Sequence, residues 1–264
     1  MKMTAIVVAA PALLLSLSAL SVQAQDADSA PPDGLTLGLA ARNAPRYSGS
    51  DARKWSFLPV VQGRSGAFFI DTQKGIGYDL QAPGGIYLEQ ALGYTPGRTD
   101  KKSDWQDGDD KLKGMGNIND ALNTSLAFGW QATPWLSMEA RAVLPLTDSL
   151  GVQYQASLTG ILLQNQADTV ALQGALLFGD ARYNNTFYGV SALQSRRSGY
   201  DKFTAGGGLY GESVSLSWNH QYSPQWGSSL STGYTHLADK VSASPVVFKN
   251  GGADVTLAVT YSFE

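Results

Sequence analysis

The sequence predicts an all-β protein, a transmembrane antiparallel up-and-down β-barrel of 12 strands, with 14 as the alternative count. Three observations predict it. The last stretch, Ala253 to Phe263, alternates strictly: Val255, Leu257, Val259, Tyr261 and Phe263 fall on one side, and Asp254, Thr256, Ala258, Thr260 and Ser262 on the other. Side chains on a strand point to opposite faces with period two, and about ten residues is the length a tilted strand needs to cross a bilayer. Second, long and short connections alternate along the chain. Third, the start of the chain reads as an export signal, and no later apolar run is long enough for a membrane helix.

That start is Met1 to Ala24. Lys2 supplies a positive end, Ala5 to Leu20 an apolar core and Val22-Gln23-Ala24 small residues at the cleavage positions, so residues 1–24 are expected to be a cleavable signal peptide. Pro11, Ser16 and Ser18 break the apolar run that an anchor would need. Removing Lys2 leaves 18 basic against 22 acidic residues, a formal charge of −4. With no basic cluster to neutralise phosphates, nucleic acid is excluded as a partner. Cysteine is absent, so an exported chain of this kind has neither a disulfide framework nor a thiolate metal site.

Residues 25–33 are polar and contain Pro31-Pro32, a short periplasmic lead-in. The barrel is expected over residues 34–264. Leu35, Leu37, Leu39 and Ala41 alternate with Thr36, Gly38, Ala40 and Arg42 to give the first strand. After the loop Asn43 to Lys54 comes Trp55 to Gln62, which Pro59 demotes toward an edge. Ala67 to Ile70 and Ile76 to Gln81 form a short hairpin, and Gly84-Gly85 turns the chain into Ile86 to Tyr94. Thr95 to Asn119 is read as the longest loop. Leu122 to Gln131 and Trp135 to Leu144 then alternate clearly around a turn at Thr133-Pro134. Leu150 to Thr159, Val170 to Phe178, Thr186 to Ala192, Phe203 to Tyr210, Val214 to Tyr222 and Ser228 to Leu237 follow, and the loop Ala238 to Gly252 precedes the closing strand. These are 14 segments, of which Ala67 to Ile70 and Thr186 to Ala192 are short for a crossing.

With the N-terminus in the periplasm, odd-numbered connections are extracellular and long. Asn43 to Lys54, Thr95 to Asn119 and Ala238 to Gly252 fall on that side; Gly63 to Ser65, Gly84-Gly85, Thr133-Pro134 and Ser223 to Trp226 fall on the other. The polar strand faces are Ser, Thr, Gln, Asn and Gly with a few charges, which suits a hydrated lumen. Arg42, Asp79, Glu89, Glu139 and Arg141 are the lumen charges. Such charges can tune solute selectivity, and in a small barrel they more often pair across the lumen and plug it.

Catalytic groups are sought and not found. His220 is in register with Leu216 and Trp218, and His236 with Tyr234, so both belong to the lipid-facing series, where no lumen carboxylate can orient them. There is no nucleophile elbow and no histidine zinc pair. The acidic spacing of Asp104, Asp107, Asp109 and Asp110 does not fit a calcium loop and reads as a solvated segment, with weak divalent-cation or lipopolysaccharide contact as the alternative. Ala205-Gly206-Gly207-Gly208-Leu209 lacks the lysine of a phosphate loop. No cofactor and no metal is expected, and no enzyme. Tyr261 and Phe263 form the assembly signal that barrel assembly machinery would read. Trp135 and Trp226, beside the short turns, are candidate periplasmic contacts, or simply girdle residues at the lipid interface.

Several stretches taken together resemble a known family. Tyr47-Ser48-Gly49-Ser50-Asp51 followed by Phe57-Leu58-Pro59, Phe69-Ile70-Asp71 with Gly75-Ile76-Gly77-Tyr78, Phe187-Tyr188-Gly189-Val190 with Gln194-Ser195 and Ser198-Gly199-Tyr200, and Tyr234-Thr235-His236-Leu237 with Asp239 and Ser244-Pro245 are similar, in that order, to the MipA/OmpV family of outer-membrane proteins. Glu264 after Phe263 departs from the usual aromatic terminus. The resemblance implies a Gram-negative outer-membrane barrel, named for interaction with a murein lytic transglycosylase, acting as a non-enzymatic scaffold that joins this hydrolase to a murein synthase in the peptidoglycan layer of the cell envelope. It supplies no catalytic residues. The alternatives are a small-solute channel and a surface adhesin. Outer-membrane lipid and lipopolysaccharide are the expected surroundings.

Overall fold

In a computed structural model of the chain, which describes residues 33–148 and 150–263, twelve antiparallel strands close into one barrel. They are β1 (Gly34–Pro45), β2 (Arg53–Ser65), β3 (Phe68–Asp71), β4 (Gly75–Ala82), β5 (Ile86–Thr95), β6 (Ala121–Thr133), β7 (Leu136–Pro145), β8 (Gln153–Gln164), β9 (Asp168–Gly179), β10 (Gly208–Gln221), β11 (Trp226–Leu237) and β12 (Gly251–Phe263). Each strand pairs with its sequence neighbours, and β12 closes the ring on β1 from Leu35 opposite Phe263 to Asn43 opposite Val255, without a bulge. No helix among the described residues is long and apolar enough to cross a membrane. The expected signal peptide and nearly all of the expected lead-in lie outside the described residues.

The period-two pattern maps onto the wall as the alternation requires. Val255, Leu257, Val259 and Phe263 stand exposed on the outside of β12, while Asp254, Thr256 and Ala258 are buried on the lumen side. The same division runs through β6, where Leu122, Leu126, Phe128 and Trp130 face out and Asn123, Ser125 and Ala127 face in. An apolar exterior over a closed ring of strands satisfies the bilayer, since the strands bond their backbone groups to neighbours around the ring, except where β2 runs past the end of β3. At the turn end, rings gather on the outer face: Trp226 lies 5.1 Å from Tyr261, and Tyr261 4.8 Å from Phe263, edge to face.

Connections segregate by end. Those at the turn end, 66–67, 83–85, 134–135, 165–167 and 222–225, are hairpins; those at the loop end include 96–120, 180–207 and 238–250. Twelve strands match the predicted count, but the membership differs. Ala67 to Ile70 is a true wall strand, only four residues long in β3. Thr186 to Ala192 is not a strand: helix α1 (Ala181–Tyr188) occupies it, and helix α2 (Ala192–Ser198) follows. Asp180 accepts from Tyr183 N and caps α1, and Ser191 with Gln194 forms a complete capping box on α2. Phe203 to Tyr210 and Val214 to Tyr222 merge, because β10 runs unbroken from Gly208, while Phe203 bridges only to Val190. The longest connection is therefore 180–207, not Thr95 to Asn119.

Pro59 sits in mid-strand without disrupting the ladder. β3 reaches only as far up β2 as Gln62 opposite Asp71, so the stretch above has β1 on one side and no strand on the other. Val61 bonds Thr72 on that free side, both through N–H and C=O, which places Pro59, two residues away, with its missing donor on the same side.

Candidate functional site

Two structures occupy the barrel interior, an ion network on the lumen wall and a cap of loops over the far mouth. The network is built on β5, β6 and β7, where register sets Glu89 opposite Ala127 and Ala127 opposite Arg141. Because Ala127 is small, the two charged side chains meet across it. Arg141 Nη2 donates to Glu89 Oε1 at 2.8 Å and its Nε to Glu139 Oε1 at 3.0 Å. Its third nitrogen, Nη1, reaches Ser125 Oγ at 3.4 Å. Lys74, in the β3–β4 turn, donates to the other oxygen of Glu89 at 2.6 Å. The other oxygen of Glu139 accepts from the Tyr87 hydroxyl at 2.8 Å.

That last bond depends on a glycine. Tyr87 is opposite Gly129, and a Cβ there would come within 2.0 Å of the Tyr87 ring, so the ring lies flat on the wall only because no side chain stands under it. One strand further on, Arg64 forks both carboxylate oxygens of Asp79, with one arm at 3.0 Å. Glu89, Asp79 and Arg141 are 4%, 7% and 6% exposed although they stand on the lumen face. Each is satisfied by charged partners, as a buried ion must be.

Of the residues predicted for the lumen, Asp79, Glu89, Glu139 and Arg141 thus share one wall. Arg42 lies apart on β1, where its Nε is 3.9 Å from Asp254 Oδ2. The sequence reading missed Arg64, Lys74 and Tyr87, and it missed Asp254 as a charged lumen residue. Trp226 sits within the turn-end ring cluster on the outer face; Trp135 is 58% exposed in the β6–β7 turn. His220 is on the outer face near the same end. Its Nδ1 lies 2.7 Å from Asp168 Oδ1, an oxygen that also accepts from Trp218 Nε1 at 2.8 Å, and its ring packs between Trp218 and Tyr222.

The cap is a small protein core built from loops. Tyr47, Leu112, Met115, Val190 and Val246 pack together although they come from four different connections. A second cluster joins Tyr188 and Val241 to the upper wall residues Ala175, Leu177, Tyr210 and Leu237. Leu112, Val241 and Val246 are completely buried, and each such side chain contributes roughly 1.5–3 kcal/mol by leaving water. Polar ties hold the cap to the rim. Arg98 donates to Phe187 O at 2.6 Å and lies over the Tyr47 ring, 5.4 Å from its centre. Burial pulls the Arg98 guanidinium below its ordinary value and pushes the Tyr47 hydroxyl well above its own. Lys54 on β2 pairs with Asp107 at 2.8 Å, where burial pushes the carboxyl up against the opposing pull of the ammonium. Tyr47 donates to Val246 O at 3.1 Å, and Ser244 to Tyr188 O at 2.5 Å.

The chain is similar to the KdgM porin, at 9% identity and a TM-score of 0.46 over 87% of this chain and 99% of that one. It is similar to the NanC porin at 9% identity and 0.46, over 84% and 98%. An outer membrane channel from Pseudomonas putida F1 is 10% identical with a TM-score of 0.49, over 92% and 100%. Among curated proteins, none matches. At the level of sequence, residues 37–263 match the family described as MltA-interacting protein MipA. This span takes in all twelve wall strands but for the first three residues of β1, and the whole cap, and the chain, an outer-membrane β-barrel, belongs to that family.

Proposed function

We propose that the protein is a non-enzymatic interaction barrel of the outer membrane, which holds a murein lytic transglycosylase near the membrane from its periplasmic side and whose lumen is not a working solute path. The observation that carries this reading is the cap: its core of fully buried Leu112, Val241 and Val246 lies across the mouth. A solute path would have to break that core, while a scaffold loses nothing by it. The buried network of Glu89, Glu139 and Arg141 narrows the passage further. The partner class comes from the family description, MltA-interacting protein. A periplasmic enzyme cannot reach the cap if the loop end is extracellular, so contact would be made by the lead-in and the turn-end hairpins, with Trp135 and Trp226 as candidate anchors. The murein synthase would then be held through the same complex.

Two measurements on one preparation test this. The folded barrel is placed in planar bilayers, and is separately used to capture a purified murein lytic transglycosylase. The expected result is no steady conductance, with capture that survives shortening of 96–120 and weakens when Trp135 and Trp226 are replaced by Ser. Open-channel conductance in the unaltered protein would replace the scaffold with a channel. Capture lost only on shortening the loop would replace it with a surface-binding role.

A further inference from the structure

Beneath the cap, between the loops and the upper lumen wall, is a cavity of about 110 Å³. A water needs a small fraction of that space, and a cavity near ~150 Å³ takes up benzene, so this one holds a compact molecule of about six heavy atoms. Its wall is mixed. Tyr47, Phe187 and Tyr188 supply aromatic surface, and Asp254, Thr235 and Arg42 supply polar groups.

Two acceptors on this wall are buried and unused by the protein. Asp254 is 1% exposed and its Oδ2 makes no hydrogen bond; Thr235 is 8% exposed and its Oγ1 makes none either. Arg42 lies 3.9 Å from Asp254 Oδ2, near enough to balance the charge and too far to satisfy the oxygen. The strand register explains the opening beside them. Asp254 is opposite Gly233 and Thr235 is opposite Gly252, so neither polar residue meets a side chain across the ladder between β11 and β12.

We infer that this cavity is a binding site for a short polyhydroxyl solute. Hydroxyl groups supply the donors that Asp254 Oδ2 and Thr235 Oγ1 lack. The solute carries no net charge, which matches a carboxylate that already has a guanidinium beside it. The C–H faces of such a solute lie well against tyrosine and phenylalanine rings. Hydrogen bonds to a carboxylate are about twice as strong as neutral ones, so Asp254 sets most of the affinity.

The probe is glycerol, a triol of about six heavy atoms, followed by saturation-transfer NMR on the full chain folded in detergent micelles, with 1-butanol and ethylammonium as controls. Glycerol should bind more tightly than either control. Asp254→Asn, which keeps the shape and removes the charge, should weaken it at least fivefold; Thr235→Val, which keeps the shape and removes only the hydroxyl, at least twofold. If Asp254→Asn does not fold, the Thr235→Val result decides alone. Absence of transfer to glycerol, binding unaltered in the variants that fold, or tighter binding of ethylammonium would each overturn the assignment.

Discussion

Replacing Arg141 with Met tests whether the lumen network is a structural element. The change keeps an unbranched chain out to the ε position and removes the guanidinium with its charge and its donors. Arg141 is 6% exposed and bonds Glu89 at 2.8 Å, Glu139 at 3.0 Å and Ser125 at 3.4 Å. Without it two carboxylates face each other across Ala127 and Gly129 with no cation between them. Removing one partner of a buried ion pair costs about 3–5 kcal/mol, because the other charge is left in a poor solvent. Here both carboxylates keep a second partner, Lys74 for Glu89 and the Tyr87 hydroxyl for Glu139. The loss should therefore lie at the low end, about 3 kcal/mol, or roughly a hundredfold in the ratio of folded to unfolded protein. Urea titration of the barrel in lipid vesicles, read by heat-modifiable gel mobility and by tryptophan fluorescence, measures it. The double variant Arg141→Met, Glu139→Gln keeps the Lys74–Glu89 pair and restores the charge balance of the wall, so it should regain most of the loss, to within about 1 kcal/mol of the original. An Arg141→Met protein within about 0.5 kcal/mol of the original, or a double variant no better than the single one, refutes the reasoning, since either result means that these charges are not confined in a dry wall.

Three other expectations are open to measurement. Phe263→Asp places a charge in the ring cluster with Tyr261 and Trp226, where β12 pairs with β1; a charge on the lipid face costs at most about 2–4 kcal/mol at the midplane and less at the interface, so the main effect should be loss of the heat-modifiable band through failed assembly, and a normal yield of that band contradicts the role given to the closing aromatic. In the cap, Lys111 donates to both oxygens of Asp51 at 2.8 and 2.7 Å, which holds that carboxyl below its ordinary range and raises the ammonium above its own; this tie is present between the two ordinary values, is lost as pH falls through the lowered carboxyl value and is lost again as pH rises through the raised ammonium value, so Lys111→Met should speed amide exchange of 98–118 at neutral pH and match the original protein in strong acid, whereas equal exchange at neutral pH would show the tie to be idle. His220 and His236 replaced together by Gln should leave transglycosylase capture as it was, because neither ring faces the lumen; a hydrolytic activity that disappears with them would make the barrel an enzyme.

The wall of the barrel was legible because lipid outside and polar groups inside impose the shortest period a chain can have. Arg42, Asp79, Glu89, Glu139 and Arg141 could be assigned to the inner face by counting in twos from a leucine or a valine. Their partners could not. Glu89 and Arg141 are 52 residues apart, and their contact depends on the register of three strands and on the small size of Ala127. Lys74 is in a turn, where the count in twos breaks down. In the connection 180–207 the aromatic Phe187 and Tyr188 favour a strand by propensity, and they were read as one. The contrary signals were local and present, since Asp180 three residues before Tyr183 and Ser191 three before Gln194 are helix starts. The capping pattern outweighs propensity here because the helix places Tyr183 and Phe187 one turn apart, 4.8 Å between ring centres, on the face that meets the rim.

The cap was illegible for a different reason, and that reason bears on how the barrel forms. Leu112, Val190, Val241 and Val246 follow no period, because each packs against side chains brought from other connections or from the upper wall. Tyr47 belongs to the connection after β1 and Val246 to the one before β12, so their hydrogen bond at 3.1 Å spans 199 residues. Holding loops so distant in sequence against each other in an open chain would cost loop-closure entropy with little burial to offset it. Once β12 has paired with β1, the two connections leave adjacent strands and the same contact closes a short circuit. The cap core is thus conditional on the seam from Leu35–Phe263 to Asn43–Val255, and the buried loop residues report on a closed wall rather than building it.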